Sequence, residues 1–162
     1  MSTRLQIAAL IILLAICFAA AGIGSLATRP NIEGWYNTLP KPSWTPPNSV
    51  FGPVWTFLYF TMAVSAWLVW RKAGLSEAAV PLAVFVLQLA LNALWSWLFF
   101  GNHNPGAAMI DIVLLWLAIF MMIIAFWKVT PAAGALLLPY LAWVTFAAAL
   151  NFAILQRYPL VL

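Results

Sequence analysis

Residues 5–27 read LQIAALIILLAICFAAAGIGSLA, an unbroken run without a charged side chain. About 20 apolar residues are enough for a helix to cross the hydrocarbon core of a bilayer. The run follows Arg4 and ends just before Arg29 and Pro30. It is longer than the apolar part of a secretion signal. We therefore expect a membrane-spanning helix, with a cleaved signal peptide as the alternative.

Four further apolar runs follow, and each is bounded by charged or turn residues. The predicted spans are 5–27, 49–70, 77–100, 105–127 and 131–156. Links of only about five residues join the last four spans, which is typical of antiparallel neighbouring helices. The sequence thus predicts one domain over residues 1–162, an all-α integral membrane bundle of five transmembrane helices.

The amino-acid composition also indicates a protein embedded in a lipid bilayer. Apolar residues make up 66% of the 162 residues and charged residues only 6%, whereas a soluble domain is about a quarter charged. This composition excludes a soluble enzyme and a disordered chain. It also excludes a nucleic-acid-binding domain, because the few basic residues are scattered along the chain. Cys17 is the single cysteine, so neither an intrachain disulfide nor a cysteine metal cluster can form. The expected partner is the lipid bilayer.

The segment between the first two spans, residues 28–48, is the one long connection. It contains five prolines together with Trp35, Tyr36 and Trp44. Long loops are usually functional or disordered. Since these aromatic side chains can be buried, we expect an ordered loop that covers one end of the bundle as a lid.

Three spans carry aromatic and amide side chains on one helical face. They are Phe51, Trp55 and Tyr59 in the second span, Asn92, Trp95 and Phe99 in the third, and Trp143, Ala147, Leu150 and Asn151 in the fifth. Aromatic walls with a few polar groups suit a flat, largely apolar ligand. A tight aromatic core without a cavity has the same spacing, and mid-span amides also tie helices together. The residues alone leave both interpretations open.

Two further polar residues are candidates. Asp111 is the acidic residue within a span. A carboxylate inside a membrane is costly and therefore suggests a functional site. Alternatively, it could reach interfacial water or bond a neighbouring helix. His103 could ligate a haem iron, but an exposed interfacial histidine is the favoured interpretation. The sequence shows no paired carboxylates, Ser/His/Asp set or phosphate loop, so no conventional catalytic constellation is expected.

Several motifs resemble one known family. They are WYNTLPKPSWTPP at 35–47, FGPVWTFLY at 51–59, LALNALWSWLFFG at 89–101, Asp111, and PYLAWVTFAAALN at 139–151. Together they resemble the TspO/MBR family of translocator proteins, in particular its bacterial members, over essentially the whole chain. The resemblance implies a five-helix membrane protein, commonly a homodimer. Because no long transit segment precedes the first span and the chain ends soon after the fifth, we expect a bacterial membrane rather than an organelle.

The resemblance also implies a ligand. Family members bind tetrapyrroles such as protoporphyrin IX and haem beneath the first loop, as ligands rather than as required cofactors, and some bind other flat hydrophobic molecules. Carried over by position, the ligand-binding residues are Phe51, Trp55, Tyr59, Asn92, Trp95, Phe99, Trp143, Ala147 and Leu150. The lid residues are Trp35, Tyr36 and Trp44. The expected function is a membrane receptor or scavenger of tetrapyrroles.

Two alternatives accompany that function. Some bacterial members look able to promote light-dependent porphyrin breakdown, for which Trp55 and Trp143 are the matching candidates here. Transport of tetrapyrroles or sterols is the other alternative. Phe152 stands where the sterol-binding consensus of animal members has tyrosine, and this departure argues against sterols.

Overall fold

The computed structural model describes residues 2–158, which form five spans long and apolar enough to cross a membrane. The helices are α1 (Thr3–Asn31), α2 (Asn48–Glu77), α3 (Ala79–Ser96), α4 (Pro105–Val129), α5 (Pro131–Leu136) and α6 (Leu138–Arg157). One π-helical turn extends α1 over Ile32–Tyr36, and another extends α3 over Trp97–Gly101. The predicted all-α bundle of five spans is confirmed.

The first span is longer than predicted. Its helix passes through Pro30 and the π-helical turn, so the predicted end at residue 27 is wrong. The connecting loop covers residues 39–47 rather than 28–48. The extension is stabilised because Tyr36 is buried against Phe99 and Phe100, with ring centroids 6.3 and 5.5 Å apart. Most of the expected lid is therefore a continuation of the first helix.

Other helix ends also differ from the prediction. Helix α2 continues past Arg71 and Lys72 and is interrupted at Gly74, whose φ of +74° few other residues adopt. Charged side chains can remain helical in the interfacial water, so they mark the edge of the hydrocarbon rather than the end of the helix. Because α2 extends to Glu77, helix α3 begins at Ala79 instead of residue 77. Helix α4 begins at Pro105 as predicted, capped by Asn104 Oδ1, which accepts the Ala107 N–H at 2.9 Å.

The fifth span is two helices rather than the one predicted over residues 131–156. Helix α5 ends at Leu136 and α6 begins at Leu138. Pro139 lies in the first turn of α6, where the missing N–H costs nothing. Further inside a helix it would leave the carbonyl four residues earlier without a partner, which explains the break.

A buried chain of hydrogen bonds ties three helices together. The Tyr59 hydroxyl on α2 donates to Asn92 Oδ1 on α3 at 2.6 Å, and Asn92 Nδ2 donates to the Tyr140 hydroxyl on α6 at 2.8 Å. Tyr140 in turn donates to Gln88 Oε1 at 2.8 Å. All four side chains are buried. These side chains supply one another with the hydrogen-bond partners that the hydrocarbon of a membrane lacks.

Helices α4 and α5 approach closely at Gly134. A Cβ atom at this position would lie 2.6 Å from Trp127 Cε3 and 3.1 Å from the Trp127 Cα. The second of these atoms is backbone and cannot rotate away. Only glycine therefore allows this approach. At Gly22 on α1, by contrast, an added Cβ would have no atom within 4 Å.

We expect Gly134→Ala to destabilise the folded protein by about 1–3 kcal/mol, because the added methyl group overpacks the α4–α5 contact. The matched control is Gly22→Ala, which we expect to leave stability unchanged within about 1 kcal/mol or to raise it, since alanine favours helix. Thermal unfolding of the detergent-solubilised variants measures both. Equal behaviour of the two variants would contradict the account of this contact.

Candidate ligand-binding cavity

A cavity of about 410 Å³ lies between α1, α2, α6 and the end of the third span. All nine positions predicted as ligand-binding residues line it. On α1 its wall extends from Phe18 to Ile32, and 14 helical steps make this wall about 20 Å long. The spacing of the nine predicted residues was compatible with either a cavity or a tightly packed core. The structure has a cavity between the aromatic faces.

The aromatic side chains pack against each other at the edges of the cavity. Trp95 and Phe99 stack with centroids 5.1 Å apart and planes 18° from parallel. Phe51 meets Trp143 edge to face at 5.8 Å. Trp55 lies 5.6 Å from Tyr59. Pairs with these separations are mutually attractive and restrict ring movement, so the walls have a defined shape.

Both mid-span amides that line the cavity form bonds within the protein. Asn92 bonds Tyr59 and Tyr140, as described above. Asn151 Oδ1 accepts the Trp95 indole N–H at 3.1 Å, and its Nδ2 donates to the Pro105 carbonyl at 2.9 Å. The amides therefore tie helices together, and the Asn151 amide also orients the indole of Trp95. Most of the remaining wall of the cavity is aromatic or aliphatic.

The three predicted lid residues occupy different places. Tyr36 lines the cavity, whereas Trp35 and Trp44 are not among its lining residues. Trp35 packs against Phe99 at 5.4 Å and stacks on His103 at 4.4 Å. Trp44 is 48% exposed and meets Phe146 edge to face at 5.7 Å. Both tryptophans thus contact residues that line the cavity, and their role as a lid stays a prediction.

Lys41 holds the loop against this end of the bundle. Its ammonium donates to the Tyr36 carbonyl at 2.5 Å and lies 4.7 Å from the centre of the Tyr36 ring. Partial burial lowers the pKa of Lys41 from its ordinary value of 10.5. The lysine thereby links the loop to a residue that lines the cavity.

Sequence reasoning missed the wall that α1 contributes. The side chains concerned are Phe18, Ala21, Gly24, Ser25, Thr28, Arg29 and Ile32. Small and polar residues recur there every three or four positions within a largely apolar helix. That spacing is a signal of close approach to other groups, and it could have identified this face. Other missed wall residues, Phe146 and Ile154, lie on the predicted face of α6.

His103 and Asp111 both lie outside the cavity lining. The His103 ring stacks on Trp35, and its Nε2 lies 2.9 Å from Asn31 Oδ1. It thus joins the α3–α4 loop to the end of α1, which fits the interpretation as an interfacial side chain better than iron ligation. Asp111 is only 4% exposed, and neither carboxylate oxygen has a hydrogen-bond partner within residues 2–158. It therefore does not bond a neighbouring helix there.

The fold and cavity define a class: a polytopic α-helical membrane protein with an aromatic cavity inside its bundle. The family model described as TspO/MBR matches residues 11–157. The chain belongs to the TspO/MBR family. It is therefore an integral membrane protein, as the sequence predicted.

Individual relatives agree with this assignment. The chain is 43% identical over 158 residues to the tryptophan-rich protein TspO of Chlorobaculum tepidum, covering 95% of this chain and 98% of that protein. It is 43% identical over 122 residues to the human translocator protein, covering 74% and 72%. It is 40% identical over 139 residues to the tryptophan-rich sensory protein of Cereibacter sphaeroides, covering 86% and 84%. The similarity thus spans bacterial and animal members.

Proposed function

We propose that the chain is a membrane receptor or scavenger that binds tetrapyrroles, such as protoporphyrin IX and haem, in the aromatic cavity. One observation carries the proposal. Aromatic faces on α2, α3 and α6 converge on a single cavity of about 410 Å³, within the usual range of roughly 300–1,000 Å³ for small-molecule sites. A flat conjugated macrocycle can stack on the faces of the aromatic side chains in the wall and meet the edges of others.

The polar chemistry of the cavity supports the same ligand class. Asn92 and Asn151 already bond protein groups, so a ligand need not satisfy them. A large apolar surface is then the main source of affinity, together with stacking on tryptophan and phenylalanine. Small neutral polar metabolites would lose much of their hydration against these walls and gain few hydrogen bonds in return.

Assembly as a homodimer is part of the proposal. Ala79, Ala83 and Ala90 are all exposed on the outer face of α3, beside Val80 and Leu87. Small residues allow two helices to approach closely within a bilayer. This supports a dimer through α3.

We expect saturable quenching of tryptophan fluorescence when the detergent-solubilised protein is titrated with protoporphyrin IX in the dark. Trp143→Ala should weaken binding about ten-fold or more, because a large stacking surface in the cavity is lost. The matched control is Trp127→Ala, which removes an exposed indole that does not line the cavity. Quenching that never saturates, or that responds equally to both substitutions, would mean that porphyrin merely partitions into the micelle.

Light-dependent breakdown of the bound porphyrin is a second candidate function. Trp55 and Trp143 both line the cavity, so a bound macrocycle would lie beside two electron-rich indoles. A photoexcited porphyrin can take one electron from an indole, which leaves a porphyrin radical anion and a tryptophan radical cation. Dioxygen can add to the radical anion, and return of one electron from this adduct to the tryptophan radical cation restores the indole. The net change is porphyrin plus dioxygen to an oxygenated macrocycle that can open.

We expect illumination in air to convert more than one equivalent of bound protoporphyrin IX per protein if this activity is catalytic. Trp55→Phe and Trp143→Phe should slow the change in porphyrin absorbance several-fold while retaining most of the binding, since phenylalanine stacks but is a far poorer electron donor. The control is Trp116→Phe, because Trp116 lies outside the cavity lining. A yield that stops at one equivalent would contradict catalysis.

A further inference from the structure

Arg29 is the one charged residue among the described residues that line the cavity. It lies in the last turns of α1, and its side chain is exposed. Among residues 2–158 its guanidinium forms neither an ion pair nor a hydrogen bond with another side chain. Glu33, four residues further along, is also exposed and does not pair with it. A free cation therefore lies at the edge of an aromatic cavity.

Three other cations contact protein groups directly. Lys41 donates to the carbonyl of Tyr36, and the guanidinium of Arg157 donates to the carbonyl of Ala153. Arg71 lies over the ring of Trp67 at 4.8 Å. Arg29 makes no such contact among the described residues, and it is the cation that lines the cavity, so its donors are available to a molecule there.

The position of Arg29 gives the cavity two chemically different ends. Phe18 and Tyr59 line one end, deep within the spans, and Ile32 and Asn48 line the end near the loop, where Arg29 also lies. The deep end offers aromatic surface in a region without water. The loop end lies near the interface, where an anionic group on a ligand keeps part of its hydration. A guanidinium fits a carboxylate with two parallel hydrogen bonds.

We propose that Arg29 forms a subsite for a carboxylate of the bound ligand, so that the cavity selects flat amphipathic anions over neutral molecules with the same apolar body. The proposal rests on the proposed function for the apolar part of the ligand. It adds an orientation, with the apolar edge of the macrocycle inward and its acidic edge at Arg29. It also names the ligand class as conjugated macrocycles that bear carboxylates.

The test compares two ligands that share one macrocycle. Protoporphyrin IX carries two carboxylates, and its dimethyl ester carries none. Both are titrated in the dark against the wild type, Arg29→Gln and Arg29→Lys, with saturable tryptophan quenching as the readout. Arg4→Gln is the control, since Arg4 is an exposed arginine near the other end of α1 and does not line the cavity.

We expect Arg29→Gln to weaken binding of the acid about ten-fold, as for loss of a charge-assisted hydrogen bond, and to leave ester binding unchanged. Arg29→Lys should restore part of the loss, and Arg4→Gln should change neither ligand. Added salt should weaken acid binding in the wild type more than in Arg29→Gln.

Two results would overturn the subsite. If Arg29→Gln weakens acid and ester equally, or changes neither, the cavity binds the macrocycle without a carboxylate contact at Arg29, and the proposed function survives alone. If neither ligand saturates in the wild type, the proposed function itself fails and the subsite fails with it.

Discussion

The structure depends on the need to satisfy polar side chains where no water is present. Tyr59, Asn92, Tyr140 and Gln88 meet this need in one chain of bonds across α2, α3 and α6. In a membrane each such bond contributes only about 0.6–2 kcal/mol. The larger effect is on specificity, because a rotation or shift of any of these helices would leave a hydrogen-bonding group alone in hydrocarbon.

The same chain positions the cavity. Tyr59 and Asn92 both line it, and Tyr140 meets Trp55 edge to face at 6.2 Å. Asn151 performs a similar role further along α6, where it bonds the indole of Trp95. The polar groups thereby hold aromatic rings in place at the wall of the cavity. The cavity is consequently preorganised for apolar stacking, and in our proposal the charge at Arg29 distinguishes between ligands.

Periodicity predicted much of this arrangement. Five charge-bounded runs are enough to count the spans, and residues spaced by three or four positions share a face. Phe51, Trp55 and Tyr59 follow that rule, and all three line the cavity. The cavity itself could not be derived from spacing, because an aromatic face packs equally well in a tight core; the resemblance to a family favoured the cavity.

Other features depend on tertiary contacts that no local pattern records. Helix α1 continues through Pro30 because Tyr36 finds a buried place against Phe99 and Phe100. The wall formed by α1 could not be identified from aromatic spacing, because most of its side chains are small or polar and only Phe18 is aromatic. The hydrogen bonds of Asn92 join residues 33 and 48 positions away, and such partners become visible only once the helices are assembled.

A double-mutant cycle on Tyr59 and Asn92 tests the central claim most directly. The free energy of unfolding would be measured in detergent for the wild type, Tyr59→Phe, Asn92→Leu and the double variant. The account predicts that Asn92→Leu costs about 1–3 kcal/mol, since it leaves the Tyr59 hydroxyl buried without an acceptor. The double variant should then be no less stable than Asn92→Leu alone, with a coupling of about 0.5–2 kcal/mol. Losses that simply add would contradict the claim that this bond joins α2 to α3.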